Sequence, residues 1–448
     1  MSIDFRFKDF AYPISILRLR SFLEKSQWFE KEKLEEYQLQ RLRKILTYAY
    51  NNVPYYNELF NKVKFNPQEF KRFEDLEKIP ILTKKNLKDN FNFLVAKNFK
   101  KFKPILYTTS GTTGEPIKFY LDKYSQVLEF CYYLRYWSWA GYRLGVPFAE
   151  FSFHHFLNTD IKNIFSFSFL TKRLVLNPTQ LSYKNLEEYI RVIKKYRCLF
   201  LKGSPSSIYA FSVLLEKKNY KELSFKAIFT TGELLLNYQR EKIEKVFNCK
   251  ILDSYGHMER TVAISQCPFG SYHINSEYGF LEIKKQENLS TEEKIVGEVI
   301  GTSFYNFAMP LIRYLVGDLI EIKVKPFSCK CKRTLPTVEK ILGRAQDMLI
   351  TTDGRLITNI FIIFEFLEGI LWAQLIQEDI NNFRLRLLKD DSFKEETNAF
   401  ILEKLKKVLG ENSKLNLEFV KEEEIRGFRE KYRPVISKLN LKDFFKTE

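Results

Sequence analysis

The chain has 448 residues, of which 45% are hydrophobic, with 42 Phe and 25 Tyr; it is long and apolar enough to bury one large core and a smaller second one, which excludes a peptide or a disordered tail. The formal net charge is +17, yet the lysines are spread along the chain beside many glutamates, without a compact basic tract carrying interleaved aromatics, so a generally cationic field fits better than a nucleic-acid footprint. Six cysteines are too few for a disulfide-dense scaffold, Met1-Ser2-Ile3-Asp4-Phe5-Arg6 does not read as a signal peptide, and the most apolar window, 357–376, is broken by Glu365 and Glu368; a reducing cytoplasm and no transmembrane segment are expected.

Residues 14–50 are charged with a helical rhythm of apolar positions (Ile14, Leu17, Phe22, Leu34, Leu39, Leu46), which predicts amphipathic helices over the core. Apolar segments 104–106 and 117–121 then flank a run of hydroxyls and glycines. Short apolar strands are predicted at 149–153, 198–202, 227–231 and 250–254, with helices at 205–218 and 237–246 between them. This alternation predicts an α/β fold whose sheet is parallel or mixed and covered by helices, with ligands beyond the carboxyl ends of the strands. Apolar residues between Phe148 and Phe169 suggest a pocket wall, and the pair His154-His155 reads as packing or pocket lining. From 278 to 325 the pattern becomes β-rich, with strands at 279–283, 297–302 and 318–324. A turn-rich stretch, 343–354, precedes a helix at 359–367, strands at 371–377 and 383–388, a helix at 395–409 and a strand at 415–420. The expected organisation is a large N-terminal domain, 1–343, and a small α+β domain, 344–448.

The run Tyr107-Thr108-Thr109-Ser110-Gly111-Thr112-Thr113-Gly114-Glu115-Pro116 carries the chemistry most plainly. Its glycines permit close backbone approach, and its hydroxyls and N–H groups can line a polyphosphate as an anion-binding nest. It is not the nucleotide P-loop, because no Gly-Lys-Ser/Thr follows. A bare Thr/Gly-rich surface turn is the alternative for such a run taken alone.

Ser110-Gly111-Thr112-Thr113-Gly114-Glu115-Pro116 resembles the ATP-phosphate loop of the adenylate-forming superfamily of acyl-CoA ligases. Its surroundings resemble the phenylacetate–coenzyme A ligase branch, which includes adenylating enzymes of capsule and exopolysaccharide clusters. Further segments resemble that family in its order: Asn52-Val53-Pro54-Tyr55-Tyr56 and Ile79-Pro80-Ile81-Leu82-Thr83-Lys84 near the start, Thr231-Gly232-Glu233, Asp253-Ser254-Tyr255-Gly256-His257-Met258-Glu259, Arg313-Tyr314 with Gly317-Asp318, Gly343-Arg344-Ala345-Gln346-Asp347, and Lys431-Tyr432-Arg433-Pro434-Val435. The match spans nearly the whole chain.

The resemblance implies ATP-dependent activation of a carboxylic acid as acyl-adenylate, then transfer to coenzyme A or to an amine. It implies catalytic roles for Lys431, Glu259 and Thr112, with Glu259 helping to hold Mg²⁺. It implies nucleotide contacts from Thr108, Thr109, Ser110, Gly111, Thr113, Gly114, Gly232, Glu233, Asp253, Ser254, Tyr255 (against adenine), Gly256, Asp318 (on the ribose hydroxyls) and Arg344. Rotation of the small domain about Asp347 would carry Lys431 in and out of the site. The family has glycine directly before this lysine whereas this chain has Glu430, and Lys438 lies nearby; a non-catalytic nucleotide-binding or scaffold member is the alternative. Cys267 with His273, and Cys329 with Cys331, are two soft-ligand pairs that could converge on a structural Cys₃His zinc, against incidental reduced thiols. Cysteine and histidine at similar places in this branch support the metal. Cys131, Cys198 and Cys249 read as ordinary buried thiols. The expected partners are a small carboxylate and coenzyme A or an amine, without nucleic acid.

Overall fold

The computed structural model describes residues 13–109, 117–152, 155–156, 163–325, 328–344, 348–350, 356–358, 369–389, 393–410, 412–421 and 435–439. The charged N-terminal stretch forms two helices, Pro13–Ser26 and Lys31–Asn52. The second buries Leu34, Gln38, Leu42, Ile45, Leu46 and Ala49, a single stripe at helical spacing. Pro54 opens the next helix, Pro54–Lys62, at a position where its missing N–H has no intrahelical partner to lose.

Strands β1 (Ile105–Thr109) and β2 (Ile117–Leu121) pair antiparallel, with Thr109 opposite Ile117. Helix Lys123–Ser138 follows, capped by the Asp122 carboxylate on the Ser125 N–H at 2.8 Å. Then come β3 (Phe148–Phe151), β4 (Phe165–Ser168), β5 (Arg173–Leu176), β6 (Phe200–Gly203), β7 (Ala227–Thr231), β8 (Ile251–Gly256), β9 (Ala263–Gln266) and β10 (Tyr272–Ile274). They are followed by β11 (Gly279–Lys285), β12 (Lys294–Ser303), β13 (Tyr314–Lys323), β14 (Thr337–Val338) and β15 (Lys340–Arg344).

A nine-stranded sheet runs in the order β14-β10-β9-β8-β7-β6-β3-β5-β4. Its five central strands, β8-β7-β6-β3-β5, are mutually parallel. The strands outside them join antiparallel. Helices Leu186–Lys195, Pro205–Lys217 and Asn237–Phe247 make the crossovers. Successive residues feed opposite layers: Phe200, Phe229 and Leu252 pack with Tyr132, Tyr136 and Trp137 on one face, whereas Leu201, Ile228 and Ile251 pack with Ile190, Phe211 and Phe247 on the other. Burial on both faces is why these strands are continuously apolar rather than alternating.

Strands β11-β12-β13-β15 form a second, antiparallel sheet. Beyond it β16 (Met348–Ile350) pairs with β17 (Leu356–Thr358). Strands β18 (Ile370–Gln377), β19 (Asn382–Lys389), β20 (Lys414–Phe419) and β21 (Val435–Ser437) form a sheet in the order β20-β19-β18-β21. Helix Glu395–Leu409 covers it through Ile401, Leu405 and Leu409, which share a core with Leu349, Leu375, Phe383 and Leu385. The helix expected at 359–367 lies outside the described residues.

Two differences from the sequence reading have simple causes. The β4–β5 hairpin and the short strands β9, β10 and β14 carry too few residues to show a period. β13 begins at Tyr314 rather than Asp318, because Leu315 N–H donates to the Leu82 carbonyl at 3.0 Å and draws the backbone into extension early. No helix among the described residues is long and apolar enough to cross a membrane.

Candidate functional site

The carboxyl ends of β6, β7 and β8 point to one rim of the large sheet. β7 ends at Thr231, and Gly232 follows at φ +89°, a conformation that a side chain would strain. The turn leaves Glu233 exposed, with its carboxylate accepting from the Ser206 N–H at 3.1 Å and the Ser206 hydroxyl at 2.9 Å. This is the first turn of helix Pro205–Lys217, where a negative charge is favourable. Asp253 is buried and accepts from Thr230 Oγ1 at 2.6 Å and from the Tyr272 hydroxyl at 2.9 Å. Burial raises its carboxyl above the ordinary range despite those bonds. The Ser254 hydroxyl donates to the Thr230 carbonyl at 3.1 Å. Asp253 and Ser254 thus lock β8 onto β7, and β8 runs on through Tyr255 to Gly256.

The Tyr255 hydroxyl donates to Asp318 Oδ2 at 2.8 Å, so the end of β8 meets β13. Asp318 follows Gly317, which sits at φ +89° and is flanked by Lys84: a Cβ on Gly317 would lie 3.7 Å from Lys84 Nζ. Lys84 is brought there because Leu82 N–H donates to the Arg313 carbonyl at 2.9 Å. Arg344 stands opposite Asp318 in the β13–β15 pair. Gly343 passes the β7 turn, where an added Cβ would lie 3.4 Å from Leu234 Cδ2.

Glu259 lies in the loop after β8 and is buried. Its Oε1 accepts from the Tyr314 hydroxyl at 2.7 Å, and its Oε2 lies 3.2 Å from His257 Nδ1. Burial alone would raise this carboxyl, but the His257 ring and the Tyr314 hydroxyl outweigh it and hold it at about 2. It is therefore an ionised oxygen donor, the kind a hard cation takes. The next residue, Arg260, lies 5.8 Å from the centre of the Tyr107 ring, so the start of the Thr/Gly run is its neighbour.

The structure thus brings Gly232, Glu233, Tyr255, Gly256, Glu259 and Asp318 to one rim. Thr108 is exposed on β1, and for Thr109 and Arg344 the backbone alone is described. Ser110, Gly111, Thr112, Thr113, Gly114 and Lys431 lie outside the described residues, as do Asp347 and His154. His155 is described and packs edge-on against Phe156, with centroids 5.1 Å apart.

A second constellation sits at the sheet edge formed by β9, β10 and β14. Cys267, His273, Cys329 and Cys331 each present a ligand atom, and all four atoms lie within 4.8 Å of one another. Cys267 Sγ is 3.6 Å from Cys329 Sγ, and Cys331 Sγ is 3.3 Å from His273 Nε2. Two sulfurs bound to one tetrahedral zinc stand about 3.8 Å apart, given Zn–S bonds of about 2.3 Å. His273 turns Nδ1 to the Leu335 carbonyl at 3.2 Å, which leaves Nε2 facing the thiols. Burial lowers His273 to about 4, so its ring is neutral at neutral pH. Soft thiols and a neutral imidazole in this arrangement fit a four-coordinate metal.

The family described as the CapK C-terminal domain matches residues 349–438. Protein CapK of Staphylococcus aureus is 26% identical over 396 residues, covering 86% of this chain and 86% of that protein. A phenylacetate-coenzyme A ligase of Thermus thermophilus is 25% identical over 342 residues, covering 71% and 72%. Among solved structures, 2-hydroxyisobutyryl-CoA ligase with a bound acyl-AMP superimposes with a TM-score of 0.65 at 17% identity, covering 93% of this chain and 92% of that one. Over most of its length the chain is thus similar to CapK and to phenylacetate-coenzyme A ligase, and it shares the fold of an acyl-CoA ligase.

Beneath the rim lie buried charges that none of the sequence motifs includes. Glu150 of β3 is buried, with Lys202 Nζ at 2.6 Å and Arg173 Nε at 2.7 Å. Burial would raise Glu150, yet the two cations outweigh it and hold it at about 2. Lys202 lies 5.7 Å and 5.5 Å from the ring centres of Tyr133 and Trp137. The signal was one charge in each of two short apolar strands, Phe-Ala-Glu-Phe and Phe-Leu-Lys-Gly. A buried strand does not carry such a residue unless it is paired.

Proposed function

We propose that this chain activates a carboxylic acid with ATP as an acyl-adenylate and passes the acyl group to coenzyme A. The observation that carries the proposal is the Tyr255–Asp318 hydrogen bond at the joint of the two sheets, with Glu259 ionised in the loop after β8. In this reading Tyr255 faces adenine and Asp318 accepts from the ribose hydroxyls. Thr108, Thr109 and the run Ser110–Gly114 cradle the phosphates, with Thr112 donating to them. Crowded negative charge is the barrier when a carboxylate attacks the α-phosphate, so fixed donors and cations lower it. Glu259 is the carboxylate placed to hold Mg²⁺, which supplies charge neutralisation at the phosphates. Lys431 adds a compact cation on a flexible stem, and Arg344 reaches the ribose side. Gly232 and Gly256 let backbone approach the nucleotide, and Glu233, Asp253 and Ser254 hold the strands that present it.

We assign residues 1–343 and 344–448 to two domains. The separate core around Leu375, Leu385 and Leu405 supports this division, and the mobile joint is placed at Asp347. Cys267, His273, Cys329 and Cys331 hold one structural zinc. Capsule polysaccharide biosynthesis is the setting that the CapK relative suggests.

The test is carboxylate-dependent exchange of pyrophosphate into ATP across a panel of acids, followed by coenzyme A consumption. Exchange with at least one acid is expected, and a raised ATP requirement for it in Asp318→Ala ties it to this site. Exchange that leads to an amide and not a thioester moves the acceptor to an amine. ATP binding without exchange for any acid leaves the non-catalytic reading, which Glu430 favours.

A further inference from the structure

The rim opposite the nucleotide side has its own chemistry. The parallel strands start there: Phe148 N–H donates to the Lys172 carbonyl, Leu199 N–H to the Pro147 carbonyl, Lys226 N–H to the Leu199 carbonyl and Ile228 N–H to the Lys250 carbonyl. Five connecting segments, 141–147, 169–172, 195–199, 223–226 and 248–250, therefore lie side by side along one edge. Tyr196 stacks on Phe167 at 3.7 Å, and Phe167 meets Phe169 at 5.0 Å, which fixes the β4–β5 hairpin tip beside the 195–199 segment.

Four large apolar side chains stand out of these segments. Phe169 is 75% exposed and Leu170 63%, at the hairpin tip; Leu144 is 56% and Leu199 39%. Around them the five segments carry six cations, Arg143, Lys172, Lys195, Arg197, Lys226 and Lys250, and no acidic residue. The acids nearest in sequence are already engaged: Glu222 with Lys194 at 2.5 Å, and Glu244 with Lys250 at 3.6 Å. Arg173 turns inward to Glu150.

We propose that this rim docks the protein on an anionic lipid surface, with Phe169, Leu170, Leu144 and Leu199 entering the headgroup boundary and the cations facing lipid phosphates. Apolar tips ringed by Lys and Arg are the composition of an interfacial membrane contact. A protein partner fits less well, because lysine is depleted in protein interfaces whereas here it surrounds every apolar tip. Strands of four to six residues separate the rim from the nucleotide side, a span of roughly 15–20 Å. A docked molecule therefore keeps its site open to the solvent.

The full chain is sedimented with sucrose-loaded vesicles of phosphatidylglycerol and phosphatidylcholine, or of phosphatidylcholine alone, at about 0.1 M and about 0.5 M salt. The expected result is pelleting with the anionic vesicles at low salt, lost at high salt as charges are screened. Each removed cation costs about fivefold in vesicle affinity, so Lys172→Glu with Arg197→Glu and Lys226→Glu together cost at least about a hundredfold. Phe169→Ser with Leu170→Ser weakens binding at both salts. All the substitutions are at exposed positions, so melting and solution pyrophosphate exchange stay as in the wild type. Two results overturn the proposal. One is no pelleting with anionic vesicles. The other is pelleting that survives both variants, which places the contact elsewhere on the cationic surface.

Discussion

Asp318 is the residue on which the nucleotide reading turns. Gly317 bends the chain before it, Tyr255 holds one of its oxygens at 2.8 Å, and Arg344 stands opposite in the neighbouring strand. A carboxylate offers about four acceptor sites, so the bond from Tyr255 is compatible with further bonds from a pair of hydroxyls. Hydrogen bonds to a charged group contribute about 1.5–3 kcal/mol. Asp318→Ala is therefore expected to weaken ATP binding by roughly ten- to a hundredfold, with a smaller effect on the rate at saturating ATP. Calorimetric titration with ATP checks this, and unchanged affinity removes Asp318 from the site. Lys431 acts only on the transition state in this reading. Lys431→Ala should lower adenylate formation about a hundredfold or more while ATP still binds. Lys438→Ala is the control, because that side chain is already paired with Glu378 on the β18 side. The reverse ranking of the two variants in pyrophosphate exchange would shift the catalytic lysine to 438.

At the level of strands, much was legible because the central sheet has no choice of pattern. Strands β6, β7 and β8 are buried on both faces, so each shows as an apolar run ending in small residues. The segments proposed to meet the nucleotide stand out in the sequence for the same reason: they are the ends of those runs. The pairing of Glu150 with Lys202 and Arg173 was not, since it joins β3, β6 and β5 across 52 and 23 positions of sequence. Nor was the meeting of Lys84 with Gly317, which depends on backbone bonds between Leu82 and Arg313. The buried triad has a pH signature. Glu150 is held at about 2, below its unfolded value of about 4.3, so it contributes stability that is full above about pH 4.5. That contribution fades as pH falls towards 2. Denaturant midpoints measured between pH 6 and 2 should drop across this window. Glu150→Gln should flatten the drop and lower stability at pH 7, since two buried cations lose their partner. A slope identical to the wild type would mean that other carboxylates carry the acid transition.

For the molecule as a whole, the thiol cluster adds a tie between two sheets that already share one hydrophobic core. Cys267 and His273 belong to the edge strands of the large sheet, whereas Cys329 and Cys331 lead through β14 into β15 of the antiparallel sheet. Their backbone pairing at this edge is short: β14 holds β10 through two residue pairs, Tyr272 with Val338 and His273 with Thr337. A metal bound by all four side chains would close a long loop and fix the angle between the two sheets, and with it the approach of Asp318 to Tyr255. Four protein ligands leave no open position, so the ion would serve stability and not the chemical step. Protein purified without added metal is expected to hold one zinc per chain by elemental analysis. Removal by a strong chelator should lower the melting temperature and make segment 328–338 accessible to protease, because binding energy at such a site is folding energy. Exchange activity measured well below that melting point should fall much less than it does in Asp318→Ala. Cys329→Ser with Cys331→Ser should reproduce the chelated behaviour and bind no metal. A chain that melts identically with and without chelator, and carries no zinc as isolated, would leave four neighbouring reduced residues, with the sheets held by their shared core and the β10–β14 pair.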